Sequence, residues 1–460
     1  VGIAYSPGTS GNTSIRAGFG ITYDILYDNL GTLSLPPQLT TTIDATPGTS
    51  NFLANGGIPP NAAAAIPEGA AARAATSGFI PNQKRPEAIN WNFGIQHAFG
   101  NYTFETRYVG TRGLFLPVQV RLNIQPTVNA SNALPVYFTA PSQATLNALP
   151  NTLARDENAF TAGGFYVPAY ANAGFLSPIS AFMPIGNSIY HGWSNQLTRR
   201  FAHGLQFQGS YTWSHNIDDS TAAVNTTVLA PRRPQDFQDL AMDRASSILD
   251  HRNRIVLEMI YDVPFFKNRN SALKNLVGNW EIAPVYIYQT GQLVTPQSGA
   301  DANLNNDSAP DRVFINPNGT QSIGTGVTAL TNSAGKTVAY LANNPNAMYV
   351  SAGLATLPNG GRSLLHLNPT DDVDVSLMKR FNITERCRVE FSARVFNIFN
   401  HPQYVGGYLN DVAALPYGAG TAAGDLARTT IEPANPNFEQ WSQAFSSNPR
   451  KVQLALKFIF

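Results

Sequence analysis

The most constraining feature of this sequence is a period of two in its apolar residues, which recurs along the whole chain. In the final segment, KVQLALKFIF, one face holds Val452, Leu454, Leu456, Phe458 and Phe460, and the other holds Lys451, Gln453, Ala455 and Lys457. Successive side chains of a β-strand point to opposite faces of its sheet. The pattern therefore predicts strands that bury or present one apolar face, and it does not predict helices.

The segment GLQFQGSYTWS (204–214) shows the pattern most clearly. Its apolar face is largely aromatic and ends in Tyr and Trp, whereas its other face carries only amide and hydroxyl side chains. Aromatic residues gather at the two interfaces of a membrane, and a polar face suits a water-filled lumen. The same alternation in 15–23, 89–99 and 389–395 favours an antiparallel transmembrane β-barrel.

Alternation predicts about eleven strands. They lie near 1–6, 14–23, 87–99, 102–110, 188–200, 204–214, 252–263, 279–289, 372–381, 388–399 and 450–460. In the strand at 279–289, Pro284 predicts a bulge or an edge position, because proline donates no ladder hydrogen bond.

The predicted connections differ sharply in length. Those at 99–101, 201–204 and 382–387 are short, and those at 24–86, 111–187, 215–251, 290–371 and 400–449 are long. Outer-membrane barrels place short turns on the periplasmic side and long loops on the extracellular side. The sequence therefore predicts this orientation and a location in the bacterial outer membrane, in contact with its lipid.

Composition excludes several other classes. Charged residues make up only 13% of the 460 residues, against ~25% in soluble domains. No apolar run reaches the length of ~18 residues that a membrane helix needs. A formal net charge of +1 without a basic block argues against nucleic acid as a partner. The single Cys387 excludes an internal disulfide framework and a cysteine-based zinc site.

Single-chain bacterial barrels contain even numbers of strands, so about eleven strands do not close one. We expect residues 1–460 to be one domain, the C-terminal half of a barrel of about twenty-two strands. Because an exported barrel needs a signal peptide and none precedes Val1, we also expect further residues upstream of this chain.

Several segments, in order, resemble the TonB-dependent outer-membrane receptors, in particular the subgroup with an N-terminal carboxypeptidase-regulatory-like domain. They are SIRAGFGITYD (14–24), GSYTWSHNIDDS (209–220), LDHRNRIVLEMIYDVPF (249–265), GNWEIAPVYIYQTGQLVTP (278–296), ADANLNNDSAPDR (300–312) and RVEFSARVFNIFNHPQY (388–404).

The resemblance implies uptake of a bulky extracellular ligand, with energy supplied through the TonB complex. It places the plug and the TonB-contacting segment outside this chain. It also implies that Phe460 is the signal that the barrel-assembly machinery reads. The alternative is a surface adhesion protein, whose long loops bind another macromolecule without transport.

An Asp/Asn-rich segment is the candidate metal site. Its alternating oxygen side chains are Asp301, Asn303, Asn305, Asp307 and Asp311, the ligand type that Ca²⁺ takes in proteins. The match to a helix–loop–helix calcium motif is incomplete, because Asn306 replaces the usual Gly and Arg312 the usual Glu. A solvated polar loop is the alternative, and no other cofactor is predicted.

Charged residues on the predicted polar faces should point into the lumen, because Arg or Lys at the centre of a lipid-facing surface costs ~2–4 kcal/mol. These residues are Glu105, Arg107, Arg254, Glu258, Asp372, Asp374, Arg388, Glu390 and Arg394. Charge pairing between strands is one role for them, and direct ligand contact is the other. The sequence contains no HExxH and no GxSxG motif, so we do not expect an enzyme.

Overall fold

The structure is a computed structural model that describes residues 1–25, 69–74, 76–78, 80–220, 233–265, 271–307, 311–384, 387–403, 428–443 and 448–460. Parts of the predicted loops at 24–86, 215–251 and 400–449 lie outside these ranges.

One large antiparallel sheet dominates the described residues, and its eleven main strands are neighbours in the order of the sequence. They are β1 (Gly2–Tyr5), β2 (Thr13–Tyr23), β3 (Glu87–Phe99), β4 (Tyr102–Arg121), β5 (Ser180–Ala202), β6 (Leu205–Asp218), β7 (Asn253–Asp262), β8 (Trp280–Gln289), β9 (Thr370–Asn382), β10 (Arg388–Phe396) and β11 (Lys451–Ile459). The prediction of eleven antiparallel strands is confirmed. Among the described strands, β1 pairs only with β2 and β11 only with β10, so a twenty-two-strand whole stays a prediction.

Two strands are much longer than predicted. We expected β4 to end at 110 and β5 to begin at 188, but their ladder continues from Gly113 up to the pair Arg121 and Ser180. The prediction was wrong because clear alternation was found only as far as 110 and from 188 onward. In the structure Pro117 lies opposite Pro184, so two residues that donate no ladder hydrogen bond share one rung.

Pro284 requires neither a bulge nor an edge, contrary to the prediction. It lies inside β8, pairs with Val375 of β9, and leaves the register of both ladders unshifted. The ladder between β7 and β8 is interrupted at Met259 and Ile260 of β7, which lie opposite this part of β8. A local gap in one ladder therefore accommodates the missing N–H.

The two faces of the sheet differ in chemistry and in exposure. On the apolar face large side chains lie open, with exposed fractions of 50% for Trp193, 48% for Leu257 and 55% for Phe458. A soluble sheet would bury such residues against a second layer. Exposure of this whole face is what a lipid-facing barrel wall requires.

Polar groups on the apolar face form hydrogen bonds with one another. The Trp193 indole N–H donates to Thr106 Oγ1 at 2.8 Å, and the Tyr211 hydroxyl donates to Asn253 Oδ1 at 2.9 Å. The Tyr108 hydroxyl lies 2.7 Å from His191 Nδ1. Hydrocarbon offers no hydrogen-bonding partner, so local pairing of this kind suits these groups to contact with lipid.

The connections separate onto two sides of the sheet, as predicted. Turns at 100–101, 203–204 and 383–387 define the short-turn side, which also carries 6–12 and the connection 263–279 with helix α5 (Ser271–Val277). Two hydrogen bonds join Ile383 and Thr384 to the carbonyl of Cys387 and close the last of these turns. The remaining connections leave from the opposite, long-loop side.

The long loops fold into secondary structure of their own. The helices are α1 (Gly69–Ala74), α2 (Gln143–Asn147), α3 (Leu153–Thr161) and α4 (Pro168–Asn172), with 3₁₀ turns at Leu240–Asp243 and Trp441–Gln443. Short strands lie at Ser77–Gly78, Val136–Tyr137, Ala245–Ser246, Leu293–Val294, Phe314–Ile315, Thr320–Thr325, Val327–Thr331, Thr337–Ala342, Ala347–Val350 and Leu365–His366. None of the helices described here has the length and apolarity needed to cross a membrane.

The hydrophobic core of the described residues lies in these loops and in the extensions of β4 and β5. One cluster joins Val294, Val313 and Leu365 to Ile431 and Trp441, residues from two different long loops. A second contains Val128, Leu134 and Tyr340, and a third contains Val118 and Ala181 of the strand extensions. The long-loop side is therefore a packed body above the sheet.

Candidate functional site in the long loops

The Asp/Asn segment forms a tight loop whose described residues are 301–307 and 311. The backbone N–H groups of Asn305 and Asn306 donate to the two carboxylate oxygens of Asp301, at 3.0 and 2.8 Å. Leu304 and Asn306 adopt positive φ angles of 55° and 58°. Asn tolerates this left-handed conformation, which explains how Asn306 takes the place of the glycine expected there.

This loop carries three carboxylates, and the charges of two of them act on the third. Asp307 and Asp311 are buried, and burial raises the pKa of Asp311 well above its ordinary value, with a further upward push from the charges of Asp307 and Asp301. Burial also raises the pKa of Asp301. The Asn303 N–H donates to Asp311 Oδ2 at 2.8 Å, and this hydrogen bond opposes the rise.

Gln235 connects the Asp/Asn loop to the long loop that follows β6. Its backbone carbonyl accepts from the side-chain amides of Asn303 and Asn305, both at 3.4 Å. Its side-chain Oε1 accepts from Arg312, from the backbone N–H at 3.1 Å and from Nε at 2.8 Å. One buried glutamine therefore holds two long loops together.

Two buried arginines complete the connection. Arg362 donates to Asp218, the last residue of β6, and to the Asp243 carbonyl at 2.6 Å. Arg312 Nη1 donates to the Met242 carbonyl at 2.6 Å. Both guanidinium groups thus bind the 3₁₀ turn that ends at Asp243. We call Asp218, Gln235, Asp243, Arg312 and Arg362 the loop-locking cluster.

The carboxylate of Asp243 lies between the two arginines but makes only long contacts with them. Its Oδ1 is 3.8 Å from Arg312 Nη1 and 3.9 Å from Arg362 Nε, and it accepts no hydrogen bond. Burial raises the pKa of Asp243 to about 6, although both arginines oppose the rise. Desolvation therefore outweighs the two nearby positive charges at this carboxylate.

The calcium prediction stays a prediction. Within the described ranges, no three His, Cys, Asp or Glu side chains converge as a metal site would require. The buried Asn303 Oδ1 nevertheless has no hydrogen-bond partner, and the donor set consists of the hard oxygens that Ca²⁺ prefers. Arg312, at the position of the expected Glu, belongs to the loop-locking cluster and supplies no ligand.

The nine predicted lumenal charges all lie on one face of the sheet. The ladder runs from Arg107 through Ser194 and Thr212 to Arg254, and the two-residue spacing places the others on the same face. It is the face opposite Trp193 and Leu257. That this face meets a water-filled lumen stays a prediction, as does any direct role in ligand contact.

The shortest charge pairing on this polar face joins the predicted Glu390 to Arg380 and Glu281, which were not predicted. Arg380 of β9 lies 2.8 Å from Glu281 of β8 and 3.4 Å from Glu390 of β10, so one arginine bridges three strands. Of the predicted residues, Glu105 and Arg107 are 4.0 Å apart. Arg380 was predictable from the sequence, because it lies an even number of residues from Asp372 and Asp374 on the same strand and so shares their face.

At the end of β6, Asp219 accepts from the backbone N–H of Asn187 at 2.8 Å and from its side-chain amide at 3.2 Å. At the other side of the sheet, Phe460 is exposed and its ring lies 5.8 Å from that of Phe458. The role of Phe460 in assembly stays a prediction.

Comparisons with known proteins place this geometry in context. A family model described as "Outer membrane beta barrel domain" matches residues 1–453. No curated protein matches the chain. Among solved structures, it is similar to the outer membrane transporter YddB from Escherichia coli, with 8% identity and a TM-score of 0.42, over 98% of this chain and 39% of that one.

Two receptors from Pseudomonas aeruginosa are also similar. The pyoverdine receptor FpvA of strain PAO1 has 10% identity and a TM-score of 0.40, over 100% of this chain and 35% of that one. A mutant of the ferric enterobactin receptor PfeA has 10% identity and a TM-score of 0.41, over 100% of this chain and 39% of that one. This chain therefore spans 39% or less of the length of these three proteins.

Proposed function

Because this chain belongs to the outer-membrane β-barrel domain family, we propose that it forms part of a receptor that takes up a bulky ligand across the bacterial outer membrane. The observation that carries the proposal is the packed body on the long-loop side. Its buried clusters join residues from separate loops, such as Val313 and Ile431. A simple pore needs no such body, whereas a receptor needs a defined surface for its ligand.

The loop-locking cluster supports a binding role. It fixes the loop after β6 and the loop after β8 to the end of β6 through buried arginine contacts. Loops that are already ordered lose less conformational entropy when a ligand binds. A surface held in this way favours selective capture of one ligand.

The polar face supports a path through the protein. Its charges pair across neighbouring strands, as at Arg380. A wet, charged wall suits contact with a plug or with a polar ligand. The receptor is proposed to carry out no covalent chemistry.

Energy coupling through TonB is the finer part of the proposal, and it rests on the resemblance of the segments named above. Adhesion is the second candidate, because the same ordered loops could hold a macromolecule at the cell surface. The two differ in one physical requirement: transport needs a contact with TonB on the periplasmic side.

Calorimetry on the detergent-purified full-length protein with the isolated periplasmic domain of TonB tests this requirement. We expect saturable binding that disappears when the N-terminal segment of the full-length protein is removed. Absence of binding to the intact protein would overturn the transport proposal and leave adhesion. Adhesion itself would then be measured by attachment of whole cells that express the protein, with and without its long loops.

A further inference from the structure

A cleft that combines basic and aromatic side chains lies at the long-loop end of the apolar face. It has a volume of about 430 Å³ and is lined by Tyr23, Lys84, Arg85, Glu87 and Phe115. Tyr23 ends β2 and Glu87 begins β3, and the two residues are direct partners in the ladder. We call this feature the rim cleft.

The position of the rim cleft follows from strand geometry. On β2 the apolar face extends from Ile15 to Tyr23. With a rise of ~3.3 Å per residue and a strand tilt of ~40°, this length spans ~20 Å along the membrane normal. On β3 it extends from Phe99 to Glu87, or ~30 Å by the same rule. The apolar band of an outer-membrane barrel is ~25 Å tall. Tyr23 and Glu87 therefore lie where hydrocarbon gives way to lipid headgroups.

The rim cleft carries an excess of positive charge. Lys84 and Arg85 are exposed, and neither forms a salt bridge with any described carboxylate. Glu87 is the only acidic residue of the lining. Arg112, which lies on the same face of β4 opposite Ile89, is also exposed. Basic groups at this depth attract anionic lipid headgroups.

The aromatic side of the rim cleft is held in an unusual conformation. Phe115 has a φ of 55°, which is rare for an aromatic residue, and the register of β4 with β5 shifts between Gly113 and Leu116. This bulge places the Phe115 ring 4.4 Å from Lys84 Nζ. Tyr23, on the other wall, is 63% exposed. The cleft thus offers two aromatic rings beside two cations that form no salt bridge with a described residue.

We propose that the rim cleft binds the phosphate-bearing headgroup of a glycolipid of the outer leaflet. Lys84 and Arg85 form charge-assisted hydrogen bonds with a phosphate, while Tyr23 and Phe115 contact the sugar ring and the first carbons of an acyl chain. Outer-membrane barrels place their long loops on the extracellular side, which selects the outer-leaflet lipid over the inner-leaflet phospholipids. The proposal depends on the barrel assignment and is independent of transport.

Calorimetry with bis-phosphorylated lipid A and the purified full-length protein tests the proposal. We expect the double variant Lys84→Glu with Arg85→Glu to bind at least tenfold more weakly. The matched control is Lys336→Glu, a charge reversal at an exposed lysine of a long loop, which should change the affinity less than twofold. Removal of the phosphates from lipid A should weaken its binding to the native protein as much as the double substitution weakens the binding of intact lipid A.

A milder variant protects the test against misfolding. Lys84→Gln with Arg85→Gln removes the charges without reversing them, and retained heat-modifiability on gels confirms a folded barrel. Unchanged affinity for lipid A in this folded variant would overturn the proposal. Equal affinity of the native protein for phosphatidylglycerol would also overturn it, because the cleft would then be a general anionic surface.

Discussion

Replacement of Leu257 by Arg tests the assignment of the apolar face most directly. Leu257 lies four residues from the start of β7 and five from its end, which places it ~10–13 Å in depth from either end for a tilted strand. It is 48% exposed and pairs with Gly209 and Tyr286. An arginine at the centre of a lipid-facing surface costs ~2–4 kcal/mol, so the folding equilibrium should fall roughly 30- to 900-fold.

The matched control is Val256→Arg. Val256 is the preceding residue, lies at the same depth, and faces the polar side between Ser210 and Ile287, with Glu258 two residues away. We expect it to cost less than ~1 kcal/mol, because water and a nearby carboxylate can solvate the new charge. The free energies come from urea titration of the full-length barrel in lipid vesicles. Equal costs for the two variants would refute the assignment of lipid to the apolar face.

Three further predictions concern the loops and the chain terminus. If the Asp/Asn loop binds Ca²⁺, millimolar Ca²⁺ should raise the thermal midpoint of the full-length protein and Asp311→Asn should abolish that rise; no rise in the native protein would contradict the calcium prediction. Burial raises the pKa of Asp243 to about 6, so its carboxyl stabilises the folded loops below pH ~4, and this contribution disappears as the pH rises through 6. The free energy of unfolding, measured between pH 4 and 7, should therefore depend less steeply on pH in Asp243→Asn than in the native protein. Part of the slope should remain, because the pKa of Asp311 is also raised. An unaltered slope would count against this account. Deletion of Phe460 should lower the amount of full-length protein in the outer membrane, measured by membrane fractionation, more than it lowers the stability of the assembled protein, measured by urea titration. Equal losses in the two assays would argue against a recognition role.

Much of the sheet could be predicted because each main strand pairs with the next main strand along the chain. Alternation in 204–214 and 451–459 identified both the strands and their apolar faces, and the same parity placed Arg107, Arg254 and Arg394 together on the other face. The errors occurred where alternation is interrupted. The strand extensions beyond 110 and before 188 were not predicted, and only the pairing of Pro117 with Pro184 across the ladder shows how the strands continue.

The Asp/Asn segment was visible in the sequence as a composition of oxygen side chains, and its role as a cation site stays a prediction. The structure shows that its described residues hydrogen-bond to one another. Its connection to Gln235 was not visible, because an isolated glutamine in a long loop carries no pattern.

The sequence by itself determined the strands, their order and the two faces of the wall, since a period of two is a local property that each segment carries independently of the others. Only the tertiary structure decided how the loops close over that wall. Arg362 reaches Asp218 across 144 positions of the chain, and no spacing rule connects residues so far apart. Their pairing follows from desolvation, because a buried guanidinium must find acceptors wherever the folded loops supply them.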